Sequence, residues 1–189
     1  LGAWLEAWRE DDRVHTVVLR GAGPKAFCAG GDVKGLHEGV KSGNPLSRDF
    51  FVREYELDFR IHTYPKTIVA LLDGIVMGGG MGISQGAAVR VVGPRTKMAM
   101  PETTIGLFPD VGGSYFLSRC PGEVGTYLGL AGPTINATDA VYCGLADVDA
   151  SPEPAAPTIE PLRAAIDRHF AFDRVEDIVD SLKAAPVAE

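Results

Sequence analysis

The chain has 189 residues, 46% hydrophobic and 23% charged, enough to bury one full core and ordinary for a soluble globular protein. A formal net charge of -7 argues against a nucleic-acid partner and against binding at an anionic membrane surface. Cys28, Cys120 and Cys143 are widely spaced, with no CxxC pair and no His at ligand spacing, so they read as reduced thiols in a reducing, cytoplasmic compartment, with no disulfide framework and no metal site.

Residues 1–10 carry Leu1, Trp4, Leu5 and Trp8 at helical spacing, already under way at the first residue without a Met, which reads as part of a longer protein. Residues 14–20 are rich in β-branched side chains and predict a buried strand. Gly21-Ala22-Gly23-Pro24-Lys25 predicts a turn, because Pro24 keeps Gly23 out of a helix. Asp32 is placed to cap a short helix through Gly39, and residues 41–47, polar with Gly and Pro, predict a mobile loop. Phe51, Glu54, Tyr55, Asp58 and Phe59 lie at helix spacing within 48–62, and Pro65 stops that helix.

Ile68-Val69-Ala70-Leu71-Leu72 is apolar throughout and predicts a strand over 67–73 covered on both faces. A glycine-started helix over 80–88, a strand over 89–93 and a short strand over 97–100 follow. Successive short helices are expected over 112–119, 123–130 and 137–144, then a brief strand at 145–148. Ser151-Pro152-Glu153-Pro154-Ala155-Ala156-Pro157 is a stiff linker before two helices, 159–170 and 175–185, with Asp173 as the cap of the second. Strands alternating with helices give an α/β chain with parallel pairing. Gly74 and Gly78-Gly79-Gly80 interrupt the most apolar stretch, so no segment reaches the length of a bilayer span.

Gly21-Ala22-Gly23-Pro24-Lys25-Ala26 fits a dinucleotide fingerprint after a strand, but Pro24 and Gly30-Gly31 prevent the long helix that would hold a pyrophosphate. Two other glycine-rich segments are more informative: Phe27-Cys28-Ala29-Gly30-Gly31-Asp32 and Met77-Gly78-Gly79-Gly80-Met81-Gly82. Without Cβ atoms, a ligand reaches bare N–H groups, and two such loops can aim two amides at one oxygen. Tight helix–strand packing is the competing account of the second segment, and its residues alone leave both open. Glu102 after Pro101 and Asp110 after Pro109 sit among apolar residues; a carboxyl in such surroundings has a raised pKa, and two close together separate into acid and base roles. His15, His37, His62 and His169 share no pattern with these acids.

Ala26-Phe27-Cys28-Ala29-Gly30-Gly31-Asp32, Gly74-Ile75-Val76-Met77-Gly78-Gly79-Gly80 and Met100-Pro101-Glu102 resemble the signature segments of the crotonase (enoyl-CoA hydratase/isomerase) superfamily. The run from Met100 to Gly113, and Phe51-Val52-Arg53-Glu54-Tyr55, are similar to the 3-hydroxyisobutyryl-CoA hydrolases within it. The resemblance covers residues 1–148 and implies a crotonase-like spiral of ββα repeats with flanking helices. It implies a core over 1–150 that lacks its opening strands, with 151–189 a linker and the start of a helical C-terminal region. It also implies an acyl-CoA thioester as the substrate, with CoA part of that substrate and no separate cofactor, and makes a homo-oligomer an open expectation. Carried over by position, the two oxyanion amides belong to Gly31 and Gly79, the acidic pair to Glu102 and Asp110, and the substrate-contacting Glu to Glu54. Lys25 is a candidate for the CoA phosphates. Hydratases of the superfamily place a second catalytic Glu where this chain has Gly82, which points away from water addition and towards thioester hydrolysis. Glu102 would attack the carbonyl or activate water against it, and the residues leave both routes open. A hydratase or isomerase with unusual acids, and a non-catalytic acyl-CoA-binding member, are the alternatives.

Overall fold

The computed structural model describes residues 1–184. Helix α1 (Gly2–Arg9) leads into β1 (Thr16–Arg20) and, after the turn at 21–25, into β2 (Ala26–Cys28). That turn therefore feeds a strand, where a dinucleotide fingerprint would feed a helix. Helices α2 (Val33–Lys41) and α3 (Leu46–His62) follow, leaving only residues 42–45 of the expected loop. Asp32 caps α2 by accepting from Gly35 N at 3.0 Å. Next come β3 (Thr67–Leu72), β4 (Ile75–Met77), α4 (Gly79–Gln85), β5 (Val89–Val92) and β6 (Lys97–Ala99). A 3₁₀ turn (Glu102–Ile105), α5 (Gly113–Leu117), α6 (Val124–Ala131), α7 (Ala137–Tyr142), β7 (Val148–Asp149), a second 3₁₀ turn (Glu160–Leu162), α8 (Arg163–Phe170) and α9 (Val175–Ala184) complete the described residues. The expected last helix extends to Ala185, which lies outside them. No helix among the described residues is long and apolar enough to cross a membrane.

The strands alternate between two parallel sheets, ordered β1-β3-β5-β7 and β2-β4-β6. Each circuit of the chain lays one strand in each sheet and returns through helix, which is the expected spiral of ββα repeats. Three-residue strands such as β2 and β4 are too short to show a period, and the second sheet was hidden in the sequence for that reason.

Inside the spiral, Ala70 and Leu72 of β3, Val76, Val92 and Met98 pack around Met81 of α4 in the larger core cluster. A second cluster joins Leu5, Val17, Leu19, Ile61 and Ile68 under α1 and α3. Each fully buried Leu, Ile or Met side chain contributes roughly 1.5–3 kcal/mol. The expectation that β3 is covered on both faces is overturned. Its burial alternates, and Leu71 stays 38% exposed beside Val91, because no element among the described residues packs over that side of the sheet. The strand expected at 145–148 also shifts: Leu145 and Ala146 donate to Ala140 O and close the end of α7, so β7 begins only at Val148.

At the other end of the chain, Ile159, Ile166, Phe170 and Ile178 join the larger cluster, with Phe170 edge-on to Tyr127 of α6. Asp139 of α7, 1% exposed, accepts from Thr158 N, Thr158 Oγ1 and Ile159 N and pins the end of the 151–157 connection.

Candidate active site

Parallel pairing of β2, β4 and β6 brings their C-terminal ends to one edge of the small sheet. From that edge emerge Gly30-Gly31 after β2, Gly78-Gly79 after β4, and Pro101-Glu102 after β6. They line an open cleft of ≈ 350 Å³, bounded also by α2, α3 and residues 105–111, which is the volume of a small-ligand pocket. The two glycine loops touch: a Cβ at Gly30 would lie 3.4 Å from Gly79 N. Gly78 has φ 52 and ψ -119, a conformation only glycine adopts readily. Neither the Gly31 nor the Gly79 N–H donates to a backbone carbonyl among the described residues, so both are available to a ligand.

Glycines 78, 79 and 82 also make room for acids. A Cβ at Gly78 would lie 2.8 Å from Glu102 Oε1, one at Gly79 2.5 Å from Glu54 Oε1, and one at Gly82 2.8 Å from Asp58 Oδ2. Glu102 arrives from the 3₁₀ turn, while Glu54 and Asp58 stand one turn apart on α3 and share a face. Glu102 is only 7% exposed and its Oε2 is sealed with no hydrogen-bond partner. Burial, reinforced by the Asp110 charge and partly offset by its own backbone N–H, raises its pKa. Burial, then the Asp110 and Glu102 charges, push Glu54 up to about 7. Burial, then Glu54 and Asp110, do the same to Asp58, up to about 7, and both Asp58 oxygens are sealed and unpartnered.

Asp110 is held differently from the sequence expectation. Ile105, Leu107 and Phe108 are 57%, 47% and 70% exposed, so they do not enclose its carboxyl. Instead Tyr55 Oη donates to Asp110 Oδ2 at 2.7 Å. Among the described residues no Lys or Arg lines the cavity, and His37 is the one basic side chain that does. No group of three His, Cys, Asp or Glu among the described residues is arranged to hold a metal ion.

The structure thus brings Gly31, Gly79, Glu54, Glu102 and Asp110 together on one cavity. It does not bring Lys25 there: that residue is exposed at the opening end of β2, about 15–20 Å of extended chain before Gly31. Tyr55 and Asp58 went unassigned to the site in the sequence, although their helical spacing with Glu54 put them on one face. The cysteines are free, and burial pushes Cys120 up to about 11 and Cys143 up to about 12, which leaves both as unreactive thiols at neutral pH.

Comparison with known proteins adds the following. The profile of the enoyl-CoA hydratase/isomerase family matches residues 1–153. The mitochondrial 3-hydroxyisobutyryl-CoA hydrolase of Xenopus tropicalis is 45% identical over 177 residues, which is 94% of this chain and 46% of that protein. Small ribosomal subunit protein mS47 of Neurospora crassa is 39% identical, over 95% of this chain and 44% of that protein. The crystal structure of a carnitinyl-CoA dehydratase from Mycobacterium thermoresistibile superimposes with a TM-score of 0.92 at 39% identity, covering 98% of this chain and 62% of that one. The chain therefore spans about half the length of the curated relatives it matches.

Proposed function

The chain belongs to the enoyl-CoA hydratase/isomerase family, and from that premise we propose that it carries the catalytic core of an acyl-CoA thioester hydrolase acting on a short branched 3-hydroxyacyl group, as 3-hydroxyisobutyryl-CoA does. The thioester carbonyl oxygen lies between the N–H groups of Gly31 and Gly79, which receive the negative charge as the carbonyl carbon becomes tetrahedral. Glu102 faces that carbon, either attacking it to form a mixed anhydride or taking a proton from the attacking water. Asp110 positions the water or supplies a proton to the departing thiolate, and Glu54, holding a proton near neutral pH, contacts the acyl group. The observation that carries this reading is Glu102 itself: a buried carboxyl whose Oε2 has no partner, on the same cavity as two glycine N–H groups that donate to no backbone carbonyl.

Gly82 weighs against a hydratase, because α4 offers no acid there. The similarity to a ribosomal-subunit protein favours a second reading, a non-catalytic acyl-CoA-binding member. Thiol release from a panel of acyl-CoAs separates them. Turnover that Glu102→Gln abolishes while ester binding persists supports the hydrolase; ester binding without any turnover supports the second reading. A single turnover in ¹⁸O-water distinguishes the two routes, since only direct attack leaves label in the Glu102 carboxyl. The location we propose is a reducing compartment, the cytoplasm or the mitochondrion named for the frog relative.

A further inference from the structure

We propose that Tyr55 is a positioning residue of this site, fixing the Asp110 carboxylate through its hydroxyl; the inference rests on the thioesterase reading above. The two residues are 55 positions apart in sequence, and α3 and the 106–112 segment meet through their 2.7 Å hydrogen bond. Nothing else holds the Asp110 carboxyl: it has no ion pair, and its Oδ1 accepts no hydrogen bond among the described residues. Its backbone surroundings need a fastener. Val111 has φ 42 and Gly112 has φ 84, so the chain turns through two successive left-handed residues directly after Asp110. The apolar side chains before it point largely into solvent.

Among the described residues, the carboxyl groups around Asp110 are joined by no Lys or Arg on the cavity. Glu54 and Asp58 come from α3, Glu102 from the 3₁₀ turn and His37 from α2, while α4 presents glycines. In such surroundings an unheld carboxylate turns outward to water, away from its acidic neighbours. Among the described residues the Tyr55 O–H is the one side-chain donor to this carboxyl, and it keeps Oδ2 in place while Oδ1 is left without a donor. Burial and the neighbouring acids raise the phenol pKa, so the hydroxyl stays a donor through neutral pH.

Tyr55→Phe keeps the ring, and with it the contact to Phe51, and removes only the donor. The expected result is a kcat lower by about 10- to 100-fold with KM changed less than about twofold, as for loss of a hydrogen bond to a charged group used in the transition state. In an Asp110→Asn background the same substitution should cost almost nothing. An undiminished cost in the Asp110→Asn background, or a loss carried by KM with kcat unchanged, would overturn the proposal. Where turnover is absent, a crystal structure of Tyr55→Phe serves: the Asp110 carboxyl should turn away from its wild-type position, and an unmoved carboxyl refutes the positioning role. Absence of thiol release by wild type defeats the thioesterase reading alone.

Discussion

Asp58 gives the sharpest test of the acid cluster, because its carboxyl is sealed on both oxygens and has no hydrogen-bond partner. Its pKa is about 7 in the folded protein against 3.8 for the ordinary side chain. A carboxyl raised in this way favours the fold while protonated. That contribution is complete below pH 3.8 and is lost as pH rises through about 7. Three units correspond to about 4 kcal/mol, and local relaxation that lets water reach the ionised carboxylate reduces this to about 2 kcal/mol. Asp58→Asn keeps the shape and removes the charge. We therefore expect the variant to exceed wild type by only about 0.5 kcal/mol at pH 4.5 and by about 2 kcal/mol at pH 8, where the urea midpoint moves by about 1 M. Urea titrations followed by circular dichroism at the two pH values measure this. A stability difference that is the same at both pH values would refute the placement of an ionisable, unpaired carboxyl against Gly82, and so would a variant weaker than wild type at pH 8.

Glu54→Gln should show the same sign with a smaller gain, about 1 kcal/mol at pH 8 and none at pH 4.5, because Glu54 lies on the open cavity where water screens it. Gly80→Ala should prevent stable folding, since a Cβ there collides with the backbone carbonyl oxygen of Cys28, which cannot swing aside; a cooperative melt near the wild-type temperature would contradict this. Asp139→Ala leaves Thr158 N and Ile159 N without their acceptor and should cost about 2–4 kcal/mol. Limited proteolysis should then cut first within 151–157, and unchanged cleavage kinetics would count against the pinning role of Asp139.

Much of this arrangement was legible in the chain because it is local. The β-branched run at 16–20 and the Asp32 cap act within a few residues, and each forms where its chemistry demands. The glycine segments were legible for a different reason: runs of residues without Cβ atoms are too destabilising to persist unless something approaches closely. The second sheet was not legible. β2 and β4 have three residues each, and their pairing is decided by the spiral and by core packing around Met81 rather than by propensity. Lys25 shows that proximity in sequence is not proximity to the glycine loop. It is near the first glycine loop in the chain, but a strand lies between them and carries it to the opposite end of the sheet. The Tyr55–Asp110 bond was invisible because it joins elements that meet only once α3 has packed on α4.

Gly82 shows most clearly what sequence position conveys and what it omits. Read along the chain, it marks an acid that α4 does not have. In space, the same absence of a side chain admits Asp58 from α3, while Gly79 admits Glu54 and Gly78 admits Glu102. Three glycines on one short stretch thus each lie against a carboxyl from elsewhere, Gly82 also against Val111, while Gly78 is held at a positive φ and Gly80 is required by packing against the Cys28 carbonyl. Burial first, and then the neighbouring carboxylates, Asp110 included, raise the pKa values of all three acids, and Glu54 and Asp58, at about 7, stand close to exchanging protons at neutral pH. An alanine at 79, where the backbone needs no left-handed φ, should accordingly disturb Glu54 and spare Glu102 and Asp58. Such a selective loss could not arise if this glycine served only to let helix and strand pack tightly.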